Sequence, residues 1–223
     1  MNLFDILGPV MVGPSSSHTA GAVRIGQMTR KLLGEKPVKA KILMYGSFSA
    51  TGLGHGTDRA LVAGLLGMSP DDIRIPDSFS AAKEEGLVYE FGTANLSGAH
   101  PNSVILEVEG ENGRELNVQA CSLGGGRIMI NRLDGLDVNC TCEMPTLIVH
   151  NLDQPGHVAE VTSMLAHKSV NIANMSLYRD KRGGSAVMVV ETDQDIPAES
   201  LKWLEHLEGV VKVTYINVTE GER

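Results

Sequence analysis

The segment Gly13-Pro14-Ser15-Ser16-Ser17-His18-Thr19 sets three hydroxyls and an imidazole directly ahead of a helical pattern. A helix N-terminus presents unpaired N–H groups and a partial positive charge, so it attracts carboxylates and phosphates. Ser15, Ser16 and Ser17 can cap such a helix or add donors to an anion bound there. His18 adds a proton carrier at the same spot. Three further loops carry similar chemistry: Gly54-His55-Gly56-Thr57-Asp58, Ala99-His100-Pro101-Asn102 and Ser122-Leu123-Gly124-Gly125-Gly126. Each falls at a turn between expected elements, where functional side chains usually sit on a rigid frame. The triple glycine offers bare backbone for close approach to a small polar ligand.

The residues alone leave several readings open. The serine run is also an ordinary N-cap, and the histidines are also three unrelated surface residues. A metal site from His18, His55 and His100 lacks any His-x3-His or Cys-x2-Cys spacing, so no metal is expected. A nucleophilic Ser-His-Asp site lacks the Gly-x-Ser-x-Gly elbow.

The elements that must position these loops are legible in the pattern. Residues 19–33 read as a helix with Ala22, Ile25, Met28, Thr29 and Leu32 on one face and Gly34 as its stop. A strand follows over residues 38–44. The glycine-rich stretch 46–58 then reads as a turn leading into a second helix, which Gly67 ends. Residues 68–86 are mixed, and short strands are expected near 87–92, 103–109, 114–121 and 127–131. Glu109-Gly110-Glu111-Asn112-Gly113 is a hairpin signal. The sum is an α+β domain over residues 1–131. The polar segment 132–145 reads as a linker. Beyond it, strand, helix, strand, strand, helix, strand follow over 146–220, the ferredoxin-like βαββαβ order.

The chain of 223 residues is 42% hydrophobic with a formal net charge of −8. That acidity argues against nucleic acid. No apolar run reaches the roughly 18 residues a membrane span needs. Met1-Asn2-Leu3-Phe4-Asp5 lacks the basic start of a signal peptide. Cys121, Cys140 and Cys142 are too few and too odd in number for a disulfide scaffold and suit a reducing compartment. The expectation is a soluble cytoplasmic protein without membrane or nucleic-acid partners.

Val149-His150-Asn151-Leu152-Asp153-Gln154-Pro155-Gly156-His157-Val158 and Asn171-Ile172-Ala173-Asn174-Met175 resemble the ACT domain, a regulatory module whose ligands are mostly amino acids. The Asp-x-Pro-Gly turn between strand and helix is its signature. The resemblance implies a ligand site from Asn151, Asp153, Gln154, Gly156 and Asn174, and self-association of the module with a second copy. The same turn also reads as a helix cap in a module that only dimerises.

The four loops of the first 131 residues, followed by an ACT module, resemble the beta subunit of the two-subunit bacterial iron–sulfur L-serine dehydratases. The N-terminal domain is also similar to the allosteric substrate-binding domain of some 3-phosphoglycerate dehydrogenases. The serine dehydratase resemblance implies an L-serine ammonia-lyase, turning L-serine into pyruvate and ammonia. It implies a [4Fe–4S] cluster that acts as Lewis acid and is held by thiolates of a cysteine-rich alpha subunit, without which this chain is inactive. It implies activation by a monovalent cation, which makes potassium an alternative to a small amino acid as the ligand of the ACT turn. On that basis His18, His55, His100 and Asp58 are candidate catalytic residues. Ser15, Ser16, Ser17, Thr19, Thr57, Asn102, Gly124 and Gly125 are candidate substrate-binding residues. They are expected to converge on one cleft facing the partner. The three cysteines match no familiar cluster spacing and read as reduced, unligated thiols. A different class of function also fits: a purely regulatory subunit that senses amino acids and carries no catalytic residue.

Overall fold

The computed structural model describes residues 10–217, and the expectations placed on Met1–Asp5 and on Val218 fall outside that range. The chain forms two compact units that divide between Gly135 and Leu136.

In the first unit a π-helical turn, Ser16–Ala20, runs into α1 (Gly21–Leu33). The expected inward face, Ala22, Ile25, Met28, Thr29 and Leu32, is buried, and Gly34 ends the helix in the left-handed region. There follow β1 (Pro37–Met44), α2 (Ser47–His55), α3 (Thr57–Leu65), a 3-10 turn (Ile75–Asp77) and α4 (Ser78–Glu85). Then come β2 (Val88–Thr93), β3 (Ser103–Gly110), β4 (Glu115–Gly124) and β5 (Arg127–Leu133). These strands lie in the order β2-β1-β3-β4-β5, with β1 and β2 parallel and the other neighbours antiparallel. β3 and β4 alternate, putting Val104, Leu106, Val108, Leu116, Val118 and Ala120 inside.

The helices α1 and α3 cross at two glycines. A Cβ on Gly26 would lie 2.5 Å from Leu61 O, and one on Gly64 closer still to Val23 O. The two backbones meet where no side chain fits, which holds α3 directly against α1.

Two expectations of this unit change. The stretch 46–58 is helical rather than a turn: Gly52 and Gly54 lie within α2, and only Gly56, at φ 69°, breaks the helix. Phe48, fully buried, anchors α2 despite its glycines. The mixed stretch 68–86 contains α4.

The second unit begins with β6 (Leu136–Cys140), inside the segment read as a linker. Its polar letters hide a period-2 pattern: Val138 and Cys140 are buried, while Asp137 and Asn139 face solvent. Next come β7 (Thr146–Leu152), α5 (His157–His167), β8 (Ile172–Arg179), β9 (Ser185–Thr192), α6 (Ala198–Glu205) and β10 (Val210–Ile216). The sheet order β10-β7-β9-β8, all antiparallel, is the ferredoxin-like arrangement. Leu147, Val149, Val161, Leu165, Met188, Val190 and Leu204 form its core. Each such fully buried side chain contributes about 1.5–3 kcal/mol of transfer free energy. Among the described residues no helix is long and apolar enough to cross a membrane.

Candidate functional site

His18 is the hub of a hydroxyl-lined cluster in the first unit. Its Nδ1 lies 3.1 Å from Ser17 Oγ and 3.4 Å from Ser15 Oγ. Its Nε2 lies 3.0 Å from Ser47 Oγ and 3.2 Å from Thr51 Oγ1. Hydroxyls rotate to donate or accept, so this ring of partners serves either tautomer. Ser15 also caps the helix, accepting from the His18 N–H at 3.1 Å. Burial holds the His18 pKa below its ordinary value; the neighbouring His55 adds to this, and a hydrogen bond with the Ser47 backbone partly offsets it. The imidazole is therefore neutral at physiological pH, with one nitrogen able to accept a proton.

The other loops reach the same neighbourhood. The His55 ring meets His18 edge-on, 5.1 Å between centroids, and is itself exposed. Thr19 is buried and donates to the His55 carbonyl at 3.3 Å, so its hydroxyl ties α2 to the helix start. The Pro101 carbonyl accepts from the Ser47 N–H at 2.7 Å. Gly46, at φ 58°, stands so close to Pro101 that a Cβ would clash with it. His100 is exposed and accepts at Nδ1 from the Asn102 N–H at 3.2 Å, so backbone rather than the Asn102 amide orients it. The Asn102 carbonyl in turn accepts from the Ser122 N–H at 3.0 Å. Ser122 packs against Gly21, where any Cβ would collide with its hydroxyl. Gly124 and Gly125 follow at φ 89° and 62°, with open space where their side chains would be.

Ser16 contributes its carbonyl to the helix, accepting from Gly21 N–H. The Thr57 and Ser122 hydroxyls are buried without a hydrogen-bond partner among the described residues. Asp58, expected beside a histidine, is buried at the start of α3, accepts from the Arg59 N–H at 2.8 Å, and acts electrostatically on Tyr89. A carboxylate at a helix N-terminus is satisfied locally, and here it leaves the imidazoles to the hydroxyls. Sequence reasoning missed Ser47 and Thr51. Their i, i+4 spacing would have placed them on one face had α2 been read as a helix.

In the second unit the turn 151–156 is built differently. The Asp153 carboxylate accepts from Arg179 at 2.9 Å and from the Gly183 N–H at 3.0 Å. Those two hydrogen bonds hold its pKa below the usual carboxylate value. Asp153 thus staples the turn to the β8–β9 hairpin. Asn174 donates to Glu191 at 3.1 Å. Asn151 donates to the Leu152 carbonyl at 2.6 Å, and its Oδ1 is buried without a hydrogen-bond partner among the described residues. Gly156, at φ 110°, has open space beside it, and Gln154 Oε1 lies near Gly209. A cavity of about 600 Å³ opens between α5 and α6, lined by Met164, His167 and Trp203 among others, away from this turn's polar groups.

The thiols do not fit a [4Fe–4S] cluster. Cys140 and Cys142 lie together in the second unit, and two thiols fall short of the three or four that such a cluster takes. Among the described residues no group of three or more His, Cys, Asp or Glu is disposed to hold a metal.

Comparison with known proteins adds the following. Residues 2–88 match the family model "Serine dehydratase beta chain" and residues 145–207 match "ACT domain". A probable L-serine dehydratase beta chain of Bacillus subtilis is 40% identical over 215 residues, 96% of this chain and 97% of the relative. An L-serine dehydratase beta chain of Peptoniphilus asaccharolyticus is 40% identical over 200 residues, covering 89% and 90%. L-serine dehydratase 2 of Escherichia coli is 30% identical over 171 residues, 65% of this chain but 37% of that longer protein.

Proposed function

The chain belongs to the L-serine dehydratase beta-chain family, and from that premise we propose that its hydroxyl–imidazole cluster forms one side of the site where L-serine loses water. The alpha chain completes that site. The observation that carries this reading is His18 with hydroxyls against both nitrogens and a second imidazole at its edge.

Dehydration removes the Cα proton and expels the β-hydroxyl, so it needs a proton acceptor and a proton donor near one small substrate. His18 takes a proton at one nitrogen while a hydroxyl accepts from the other, and Ser17, Ser47 and Thr51 hold the ring in place. His55, exposed beside it, carries the proton between ring and substrate. Ser122 Oγ and the open backbone at Gly124 and Gly125 receive the substrate's carboxylate or ammonium. The [4Fe–4S] cluster belongs to the alpha chain, and no step is assigned to it on this chain. The greater length of the Escherichia coli relative supports a partner here that is fused there.

The ACT unit carries the regulatory role in this reading. The buried Oδ1 of Asn151 and the open backbone at Gly156 support a small amino acid or a potassium ion at the turn. The edge strands β8 and β10, with Leu177 and Val211 exposed, support self-association.

Anaerobic assembly of this chain with its alpha chain, followed by an L-serine deamination assay, tests the proposal. A His18→Ala, His55→Ala double variant should assemble and lose turnover. Full turnover with only the activator response altered would instead establish the sensing subunit without catalytic residues.

A further inference from the structure

Cys140 and Cys142 belong to none of the chemistry above, yet they are the tightest pair of nucleophiles in the second unit. Their sulfurs lie 3.2 Å apart, and both residues are 1% exposed. Cys140 closes β6; Cys142 follows it at φ 54°, a left-handed backbone that a non-glycine residue seldom adopts. That conformation turns the second thiol back on the first. Strain of this kind persists where surrounding structure holds it in place. Here Thr141 donates to Glu191 at 3.5 Å, and Glu191 accepts from Asn174 at 3.1 Å. The remaining thiol, Cys121, sits alone on β4, and burial pushes its pKa up.

We propose that Cys140 and Cys142 are a redox site, a dithiol that a small hydroperoxide converts to a reversible disulfide within this chain. Closure to a bond of about 2.05 Å takes only about 1 Å of sulfur movement. The hydrogen bond from Cys142 holds the Cys140 thiol below its ordinary pKa, which makes Cys140 the attacking sulfur. The Cys140 thiolate attacks one peroxide oxygen, the O–O bond breaks, and the departing hydroxide takes up a proton to leave as water. The Cys142 thiolate then attacks the Cys140 sulfenic sulfur, the S–O bond breaks, and a second water leaves. Two thiols and one hydrogen peroxide thus give one disulfide and two waters. Near-complete burial selects the oxidant: a peroxide is small enough to enter, whereas the mixed disulfide of a bulky thiol such as glutathione has no room.

The test is made on the reduced full chain by intact mass and peptide mapping after thiol alkylation. Stoichiometric hydrogen peroxide should lower the mass by two hydrogens, protect Cys140 and Cys142 from alkylation, and leave Cys121 as a thiol. Dithiothreitol added to the unfolded chain should restore both. Cys142→Ser should trap a sulfenic acid at Cys140 that dimedone labels once the chain is unfolded. Cys140→Ser should oxidise more slowly than the wild-type chain, because the remaining Cys142 thiol lacks the partner that turns it toward the thiolate form. Oxidised glutathione should add no mass. Peroxide that leaves the pair as thiols, oxidises all three cysteines at one rate, or acts on Cys140→Ser as fast as on wild type would overturn the proposal. So would a glutathione adduct at either residue.

Discussion

Two helix starts hold most of the polar chemistry of this chain, and they are built on opposite plans. At Ser15–His18 the contacts run between hydroxyls and the His18 imidazole, groups that can exchange donor and acceptor roles. At Asn151–Gly156 the one carboxylate is fixed by a guanidinium and a backbone N–H. The first arrangement can reorganise around a substrate and pass a proton. The second is a staple whose ligand-binding capacity is left to Asn151 and bare backbone. Similar residue types at similar places in the chain therefore differ in function according to which of their atoms the fold has already engaged.

Among substitutions that keep His18 in place, the largest expected effect comes from stripping the hydroxyls around it. Ser47→Ala with Thr51→Val leaves Nε2 without its two hydroxyl partners, and kcat of the assembled enzyme should fall about 10- to 100-fold, the value of one or two hydrogen bonds. The corresponding change at the other turn, Asp153→Ala, should leave kcat within about twofold, since catalysis does not pass through it. Equal losses in both would erase the distinction between the two regions.

A smaller contrast separates Ser122 Oγ from Asn151 Oδ1, both buried without a hydrogen-bond partner among the described residues. Ser122→Ala should raise KM for L-serine several-fold while leaving thermal stability unchanged or slightly higher, because the hydroxyl has no hydrogen-bond partner among the described residues to lose. Asn151→Ala should shift the concentration of activating ligand instead, with KM for serine at saturating activator unchanged. Isothermal titration and steady-state kinetics on the same preparations separate these outcomes.

How much of this was legible follows from the physics of each segment. The second unit could be read almost element by element, because Leu147, Val149, Val161, Leu165, Met188 and Val190 keep clean periods of two or 3.6. The start of α1 was legible from its serines. The helix α2 was not, since glycines at 52 and 54 mask a helix that buried Phe48 holds in place. With α2 hidden, Ser47 and Thr51 were invisible as partners of His18. The strand β6 was hidden by the aspartate and asparagine on its solvent face. Asp58 and Asp153 were recognised as chemically capable, but sequence does not show that Arg59 N–H and Arg179 already occupy them.

The smallest effects are in pH. His18 is held below its ordinary value of 6.5, so folding favours the neutral ring. The stability this contributes is present above pH 6.5 and declines as pH falls below it, and the acid limb of kcat should lie below 6.5. Asp153, also depressed, contributes a tie that is present above the unfolded carboxylate pKa and is lost only as pH falls through its lower folded value. Melting curves between mild and strong acid should show the His18 contribution fading first, and a His18→Gln chain should lack that first decline.

The central claim is that His18 works in the chemistry of serine dehydration rather than in sensing. The most direct test is kcat at saturating L-serine and saturating activator for enzyme assembled from the alpha chain and a His18→Gln beta chain, with assembly checked by mass. Glutamine keeps the hydrogen bonds of a neutral ring but cannot carry a proton at this pH. The account predicts a loss in kcat of about 10²- to 10⁴-fold, the contribution of a positioned acid–base group, with assembly intact. A wild-type kcat in that assembled variant would contradict it.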